Sequence, residues 1–339
     1  MNDALKGKSA HVVVRPSGRE FDVQGHDTLL QAGLSAGLHF NYGCANGTCG
    51  LCKARVISGS VVRVHAHDYP LSEAEKLQGY TLLCAHTAAS SELLLETLEA
   101  HSPQDIPEQH IVTRVRAITA LGKDTMLLHL QTPRTNRLRF LAGQSVTLGV
   151  CAADAEGDVL ATYPIASCPC DDRNLQFYMA RQAMDRFAER VFARALKVGD
   201  TVTVRGPQGD FVLAGNQRLL VFAACDCGFA PIKALIEHAM TLDGRASISL
   251  HWLATRADGH FLANQCRAWS DALDNFHYAL HSAADMNAGA RSVVKAMQAD
   301  FSLADCDFYL AGPGMFVQKA QADLRDAGVS EQNIFKMLV

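Results

Sequence analysis

The sequence predicts a multidomain α+β protein in three consecutive parts. A loop rich in cysteine and glycine lies at residues 42–52, between short strand-like segments. Short alternating segments separated by turn residues fill residues 110–205, a pattern typical of an antiparallel β-barrel. From Arg218 onward, apolar strands alternate with helices, which indicates a doubly wound parallel sheet. We therefore expect domains at residues 1–100, 110–213 and 214–339.

The N-terminal part reads as a small mixed β-grasp domain that ends near Leu98. Ala10–Val14 and Arg19–Val23 read as a hairpin with a turn at residues 16–18, because a Pro-Ser-Gly sequence separates two alternating runs. Asp27 or Thr28 can cap a short helix that follows. The remaining expected elements are a strand at Lys53–Ser58 and a helix at Leu71–Gln78.

The cysteines of this domain have the spacing of a plant-type [2Fe–2S] centre. Cys44, Cys49 and Cys52 stand at C-x4-C-x2-C, and Cys84 follows as the fourth ligand. Nearby glycines let the backbone approach the cluster closely, and these are Gly43, Gly47 and Gly50. A zinc site would instead favour two C-x2-C pairs or a mixture of Cys and His. The other alternative is four unrelated buried cysteines.

Composition excludes several classes of function. The chain has 339 residues, 48% of them hydrophobic and 19% charged, as in ordinary globular proteins. A net charge of −4 gives no basic footprint for nucleic acid. No apolar run reaches the ~18 residues that a membrane span needs. Eleven cysteines without a recognisable export signal indicate a cytoplasmic protein whose cysteines are metal ligands or thiols rather than disulfides.

The two C-terminal parts follow a polar, proline-containing linker at residues 101–109. The expected barrel strands are His110–Ile118, Thr125–Gln131, Gln144–Val150, Val159–Ala166, Leu175–Ala180 and Thr201–Arg205, with one helix around Met184–Leu196. In the third part the expected strands are Leu219–Ala224, Ser247–Leu253, Phe276–Leu280 and Phe308–Ala311, with helices at Pro231–Met240, Arg291–Gln298 and Met315–Ala327.

The whole chain resembles the reductase components of multicomponent oxygenases, which combine a ferredoxin with a ferredoxin–NADP reductase module. Besides the four cysteines, the resemblance rests on framework motifs: Leu138–Gln144, Tyr163 with residues 165–167, Leu196–Asp200, Gly206–Gly209, Gly228–Pro231 and Gly312-Pro313. It implies that NAD(P)H reduces FAD in the barrel, that FAD reduces the [2Fe–2S] cluster, and that the cluster reduces a partner such as an oxygenase or hydroxylase component.

The resemblance also assigns residues to the two organic cofactors. Tyr163, Ile165 and Ser167 correspond to the flavin motif. The positions that correspond to the nucleotide site are Gly228, Pro231, Gly312 and Pro313.

The residues that grip these cofactors in the family are replaced here. The flavin motif Arg-x-Tyr-Ser becomes Ala-Thr-Tyr-Pro at residues 161–164, which removes an arginine contact to the pyrophosphate. A glycine pair followed by Ser or Thr becomes the stretch 183–188, in which Asp185 adds a negative charge and Arg181 or Arg186 is the candidate to compensate. The loop Gly-Gly-Thr-Gly becomes Cys-Asp-Cys-Gly, which places Asp226 where a pyrophosphate would lie.

Two functions therefore remain open. The first is an FAD-containing NAD(P)H reductase with unusual contacts, in which Tyr163 stacks on the flavin. The second is a flavin-free relay or accessory subunit that keeps only the [2Fe–2S] cluster. For either, the altered loop predicts weak NAD(P)H binding, and Arg256 is the candidate contact for a 2′-phosphate.

Two further cysteine pairs are not required by the family. Cys168 and Cys170 follow the flavin motif, and Cys225 and Cys227 replace the nucleotide glycines. We expect them to be either a second metal centre, iron–sulfur or zinc, or inert or redox-active thiols.

Overall fold

The computed structural model describes residues 9–36, 38, 40–42, 46–97, 102–133, 137–150, 158–171, 173–182, 184–214, 218–240 and 247–339. Of the residues named above, Gly43, Cys44, Leu98, His101, Ala183 and the side chain of Cys170 lie outside this description. The chain divides into two compact units, Met1–Pro107 and Glu108–Val339. Within the described ranges no helix combines the length and the apolar character that crossing a membrane requires.

The described residues of the first unit form seven strands and two α-helices, with a 3-10 turn at Pro103–Asp105. In chain order they are β1 Ser9–Arg15, β2 Glu20–Gln24, α1 Leu29–Ser35, β3 Lys53–Ser58, β4 Val61–Arg63, α2 Glu73–Leu77, β5 Tyr80–Leu82, β6 His86–Ala88 and β7 Glu92–Glu96. Five strands form one sheet in the order β2-β1-β7-β3-β5, and β4 pairs with β6. This is the mixed β-grasp domain that the sequence predicts.

Helix α1 begins at a capping box. The Thr28 hydroxyl accepts a hydrogen bond from the Gln31 backbone N–H at 3.1 Å, and the Gln31 side chain accepts one from the Thr28 N–H. Thr28, rather than Asp27, is therefore the cap. Leu29 and Leu30 are buried in the core of this unit, and the Leu30 N–H donates to the Leu83 carbonyl at 3.1 Å. The helix is thereby fixed beside the segment that carries Cys84.

The second unit begins with an antiparallel sheet that forms a half-barrel. Its elements are β8 Gln109–Ala120, β9 Thr125–Gln131, β10 Ser145–Val150, β11 Val159–Pro164, β12 Asn174–Ala180, α3 Arg186–Phe192 and β13 Thr201–Gln208. The strand order is β11-β10-β13-β8-β9-β12, and every neighbouring pair is antiparallel. Alternate residues of these strands form one apolar core with Phe187 and Val191 of α3.

The rest of the second unit is a parallel α/β sheet. Its elements are β14 Leu219–Cys225, α4 Phe229–Ala239, β15 Ile248–Ala254, α5 Ala263–Ala272, β16 Phe276–Ser282, α6 Met286–Asp300, β17 Cys306–Gly312, α7 Gly314–Asp326 and β18 Ile334–Leu338. The strand order β16-β15-β14-β17-β18 places helices on both faces, as in doubly wound sheets. Strands β14, β15 and β17 are buried along their length, apart from partly exposed Leu219.

Several hydrogen bonds connect the half-barrel to the α/β sheet. Asp258 Oδ2 accepts a hydrogen bond from the Lys123 N–H at 2.8 Å. Arg256 donates to the Thr125 hydroxyl at 3.2 Å. On α4, buried Lys233 donates to the Ala166 carbonyl at 3.2 Å. Together with the shared apolar cluster, these contacts make one compact unit of the two parts.

Candidate functional site

The first unit places two of the four predicted cluster ligands, Cys52 and Cys84, in direct contact. Strands β3 and β5 are antiparallel neighbours, and the Leu83 N–H donates to the Cys52 carbonyl at 3.0 Å. This pairing holds Cys52, which precedes β3, beside Cys84, which follows β5. Both side chains are buried, and the Cys52 thiol donates to Cys84 Sγ at 3.2 Å. Cys49 lies in the same loop and is partly exposed.

The loop is shaped by glycines that have no room for a side chain. Gly50 has φ +76°, and a Cβ there would lie 2.2 Å from the Tyr69 ring. Gly47 has φ +82°, and its Cβ would lie 2.4 Å from His67 Cβ. Positive φ and close packing both select glycine. The sequence prediction assigned these glycines to approach of a cluster, and their described contacts are with the polypeptide that encloses the loop.

The chemistry of this site fits an iron–sulfur cluster. The Leu51 N–H points at Cys49 Sγ, 3.5 Å away, which is the type of donor that stabilises a thiolate. The hydrogen bond to Cys84, followed by burial, raises the pKa of the Cys52 thiol. Two buried thiolates so close together need a cation, and iron in a cluster would supply it. Cys44, the fourth predicted ligand, lies outside the described residues.

The flavin-motif residues lie on β11 and just after it, and they are enclosed by the protein itself. Tyr163 is only 8% exposed, and its hydroxyl donates to Asp185 Oδ2 at 2.6 Å. Its ring centre lies 5.8 Å from that of Phe187. Burial, and then the hydrogen bond to Asp185, raise the pKa of Tyr163. The Ser167 hydroxyl accepts from the Gln176 N–H at 3.3 Å, and Ile165 is fully buried.

An open groove of about 550 Å³ runs beside this motif. Its lining consists of Asp158, Val159, Leu160, Ala161, Gln182, Met184, Asp185 and Arg186. Two of these side chains are carboxylates and one is a cation. Ala161 stands where the family has the arginine that pairs with pyrophosphate. Arg181 lies elsewhere, over the Phe192 ring at 4.3 Å and 3.4 Å from Asp124.

The nucleotide-type loop, which follows β14, is built around the side chain of Asp226. Asp226 has φ +47° and is 9% exposed. Its carboxylate accepts from the Thr255 N–H at 3.0 Å and from the Thr255 hydroxyl at 2.5 Å. The Trp252 indole N–H donates to the Asp226 carbonyl at 3.1 Å. Strand β15 therefore provides the partners for both the side chain and the backbone of this loop.

The other predicted nucleotide-site residues pack closely against the sheet. A Cβ at Gly228 would lie 2.1 Å from the Ala311 carbonyl oxygen. Gly312 has φ +152°, and its Cβ would lie 2.8 Å from Cys225 Cβ. Pro231 is buried in the first turn of α4, and Pro313 caps α7. These glycines are required for the close approach of β14 and β17.

Comparison with known proteins identifies two domains in this chain. Residues 12–89 match the 2Fe-2S iron-sulfur cluster binding domain, and residues 112–213 match the oxidoreductase FAD-binding domain. The chain therefore joins a ferredoxin-type domain to a domain of the FAD-binding oxidoreductase type, which is a fused ferredoxin–reductase architecture. Its relatives include the reductase and electron-transfer components of oxygenases, as the sequence resemblance predicts.

Several relatives align with the fused ferredoxin–reductase over almost its entire length. The CDP-6-deoxy-L-threo-D-glycero-4-hexulose-3-dehydrase reductase of Yersinia pestis is 28% identical over 331 residues, covering 96% of this chain and 97% of the relative. The reductase component of propane 2-monooxygenase from Mycolicibacterium goodii is 25% identical and covers 94% of each chain. The toluate 1,2-dioxygenase electron transfer component of Pseudomonas putida is also 25% identical over 94% of each chain.

Solved structures support the same fold. The cytochrome P450 reductase GcoB of Amycolatopsis has a TM-score of 0.59 at 22% identity and covers 96% of this chain and 98% of its own. The ferredoxin reductase of carbazole 1,9a-dioxygenase has a TM-score of 0.57 at 21% identity and covers 97% of both.

Cofactor fit differs between the two units of this fused ferredoxin–reductase. The cysteine loop fits a [2Fe–2S] cluster, in agreement with the domain match. The FAD-binding domain match and the reductase relatives support FAD and NAD(P)H as possible cofactors. The described flavin-motif and nucleotide-loop residues fit them poorly, because the carboxylates of Asp185 and Asp226 stand at motif positions that would face phosphates and are bonded within the protein. Arg256 is also engaged, since it contacts Thr125 and lies 3.6 Å from Asp258.

Among the described side chains of the two extra cysteine pairs, Cys168, Cys225 and Cys227 do not form a metal site. Cys168 is disulfide-bonded, so the sequence prediction that the cysteines avoid disulfides is wrong at this position. Residue spacing alone could not reveal which sulfur atoms lie close together. Cys225 and Cys227 point into different apolar clusters. Among the residues that the structure describes, no group of three or more His, Cys, Asp and Glu side chains could hold a metal ion. The alternative of thiols at Cys225 and Cys227 remains a prediction.

Proposed function

We propose that this fused ferredoxin–reductase is an electron-transfer protein that delivers single electrons to a partner protein, such as an oxygenase or hydroxylase component. The observation that carries the proposal is the contact of Cys52 with Cys84, whose sulfur atoms lie 3.2 Å apart, in a chain whose cysteine spacing fits a plant-type centre. The names of the relatives support the class of partner, because several are reductase components of oxygenases.

The buried and the exposed side of the cysteine loop have different roles. A [2Fe–2S] cluster bound there supplies reversible one-electron transfer. Cys52 and Cys84 would anchor its buried side, where the paired strands β3 and β5 fix their positions. Cys49 would hold the side nearest solvent, which is where an acceptor approaches. The Leu51 N–H stabilises negative charge on Cys49 Sγ.

A cytoplasmic location is part of the same proposal. Cys168 is disulfide-bonded, but Cys225, Cys227, Cys266 and Cys306 of the same unit are free thiols, which fits a reducing compartment. Fractionation of the native cells would test the location directly. Recovery with periplasmic or membrane fractions would contradict it.

Electron delivery can be tested with a surrogate acceptor. The protein is reduced anaerobically, excess reductant is removed, and oxidised cytochrome c is added in a stopped-flow instrument. We expect about one cytochrome c to be reduced per chain, since a [2Fe–2S] centre carries one electron. The Cys49→Ser variant should transfer little or nothing, whereas Cys266→Ala, at a buried cysteine of α5, should behave as wild type. Equal transfer by Cys49→Ser and wild type would contradict the assignment.

The class of partner needs a second assay. The reduced protein is mixed with an oxygenase component and its substrate while that oxygenase's own reductase is left out. Product formation that requires the reduced protein supports the proposed partner class. Product formation at the same level without it would contradict the proposal for that oxygenase.

A further inference from the structure

We propose that Asp185 and Asp226 act as internal substitutes for cofactor phosphates, so that the second unit binds neither FAD nor NAD(P)H. The chain then takes its electrons, one at a time, from a separate reduced donor protein. This inference rests on the electron-transfer function proposed above. It goes further by identifying where electrons enter and which class of reaction supplies them.

The first part of the argument concerns the loop after β14. A dinucleotide pyrophosphate at such a loop needs backbone N–H groups that are open to it and a backbone that it can approach closely. Here the Asp226 carboxylate fills that space. It accepts both the N–H and the hydroxyl of Thr255, at 3.0 Å and 2.5 Å. The carboxylate also lies against Gly259, where a Cβ would be 2.7 Å from Asp226 Oδ1.

Displacing this carboxylate would be costly. Asp226 is 9% exposed, and its backbone carbonyl is fixed by the Trp252 indole. A phosphate that took its place would leave a buried carboxylate without partners next to a second anion. The lost hydrogen bonds of Asp226 and the repulsion between the two anions both oppose phosphate binding.

The second part concerns the start of α3. The Asp185 carboxylate accepts the Ala188 N–H at 2.9 Å through Oδ1 and the Tyr163 hydroxyl at 2.6 Å through Oδ2. The helix N-terminus, which the family uses for the FAD pyrophosphate, is therefore capped by the protein. The same contact holds the Tyr163 ring near that of Phe187 and away from solvent. The ring that is expected to stack on a flavin is therefore buried.

The backbone around the flavin motif is likewise engaged. The Ile165 N–H donates to the Gln144 carbonyl at 3.0 Å, and the Ala166 N–H donates to the Gln176 carbonyl at 2.8 Å. The Ala166 carbonyl accepts from Lys233, which also pairs with Glu237 at 2.7 Å. These backbone groups are therefore already hydrogen-bonded to other groups of the same chain.

The groove beside the motif has the wrong charge for a pyrophosphate. Asp158 and Asp185 line it with a single cation, Arg186. A pyrophosphate carries two negative charges, and its binding sites are normally rich in cations and open N–H groups. Asp185 contributes both to the charge of the groove and to the helix cap, and Asp158 adds a second negative charge to the groove.

Because the flavin-motif site and the nucleotide loop are both filled by the protein, they limit which electron donors the chain can use. A nicotinamide nucleotide releases two electrons as a hydride, and a [2Fe–2S] cluster accepts one. Without a flavin to split the pair, the chain cannot use a hydride donor directly. The donor must itself release single electrons at low potential, as a reduced flavoprotein or another iron–sulfur protein does. One electron leaves this donor for each cluster that is reduced.

The wild-type protein provides the test. Anaerobic samples are incubated with NADH or NADPH, with and without added FAD, and the visible absorbance of the cluster is followed. A parallel sample receives photoreduced 5-deazaflavin, a small one-electron donor. Flavin released by acid precipitation is measured by fluorescence. We expect deazaflavin to lower the visible absorbance to that of the fully reduced cluster, neither nucleotide to lower it even with FAD, and no flavin to be released.

Each outcome separates this inference from the proposed function. Bleaching by NADH or NADPH, or stoichiometric released flavin, would overturn the inference and leave electron transfer by the cluster intact. Failure of both deazaflavin and nucleotides to bleach the protein would overturn the cluster function as well. Tight binding of FAD in a fluorescence titration would also overturn the inference.

Discussion

The carboxylate of Asp226 accepts two hydrogen bonds from Thr255, one from the backbone N–H and one from the hydroxyl. The two residues belong to different loops at the carboxyl ends of neighbouring parallel strands, β14 and β15. That edge is where doubly wound sheets normally bind their ligands. An internal ion–dipole contact at this position gives the site a structural role in stabilising the α/β sheet.

The first prediction concerns the unfolding free energy that the contact between Asp226 and Thr255 contributes. The Asp226→Asn substitution keeps a residue that tolerates positive φ but weakens the acceptor, and it should cost about 1–2 kcal/mol of unfolding free energy. Thr255→Val should cost a similar amount through loss of the hydroxyl. The double variant should cost less than the sum, because both changes remove the same contact. Urea unfolding is followed by tryptophan fluorescence, since Trp252 and Trp269 are the two tryptophans of the chain.

A matched control uses an exposed carboxylate on α5. Asp271→Asn should change the unfolding free energy by no more than about 0.5 kcal/mol. Strict additivity of the Asp226→Asn and Thr255→Val costs would show that the two side chains are not coupled.

The second prediction concerns the loop that holds the cysteines. Gly50→Ala and Gly18→Ala both place alanine at positive φ, +76° and +71°. Each should lose roughly 1–2 kcal/mol from backbone strain. Gly50→Ala alone adds a clash with the Tyr69 ring, and overpacking of this kind costs a further ~1–3 kcal/mol. The Cβ at Gly18 meets no atom within 4 Å.

Cluster absorbance and melting temperature report the difference. We expect Gly50→Ala to lose most of its cluster absorbance and Gly18→Ala to retain it. Equal loss in both variants would show that the fit against Tyr69 does not matter for the loop.

The third prediction is a loss of stability in acid. Burial, followed by the neighbouring His281 at 3.2 Å, lowers the pKa of His251 to about 4. Asp300 acts in the opposite direction, and the Ser249 hydroxyl lies 3.5 Å from the other ring nitrogen. Since the unfolded chain binds this proton near the usual pKa of about 6.5, stability should fall as the pH drops from about 6.5 towards 4.

The size of this effect can be measured by replacing the histidine. His251 should contribute about 2 kcal/mol to the loss of unfolding free energy between about pH 7.5 and about pH 5. In His251→Leu that share of the loss should disappear. Tryptophan fluorescence again follows the unfolding of the α/β sheet. An identical pH dependence in the variant would exclude His251 as the titrating group.

Much of the fold could be read from local sequence patterns. Lys53–Ser58 and Thr125–Gln131 form strands with the predicted bounds, because their flanking turns are strong signals. Helix α5, Ala263–Ala272, was not predicted, since it has no side-chain cap and only Cys266 is buried in it. Strand β18, Ile334–Leu338, was also missed. It is an edge strand that depends on pairing with β17 rather than on its own sequence.

The candidate sites, like the fold, could be predicted from the sequence only in part. Cysteine spacing predicted the cluster loop, because ligands of one centre must lie close in sequence or be brought together by a strand pair. The presence of Asp226 in place of glycine was visible in the sequence, but its bond to Thr255 was not. That contact joins residues 29 positions apart and depends on the tertiary arrangement of β14 and β15. The burial of Tyr163 by Asp185 is non-local for the same reason.

The central claim is that the cysteine loop carries one redox-active [2Fe–2S] cluster. The most direct measurement combines iron and sulfide analysis of the purified protein with electron paramagnetic resonance after anaerobic reduction. The account predicts about two irons and about two acid-labile sulfides per chain, with one reduced-cluster signal near one spin per chain and a potential on the order of −400 mV. Zinc in place of iron, or iron without labile sulfide and without a signal on reduction, would contradict it.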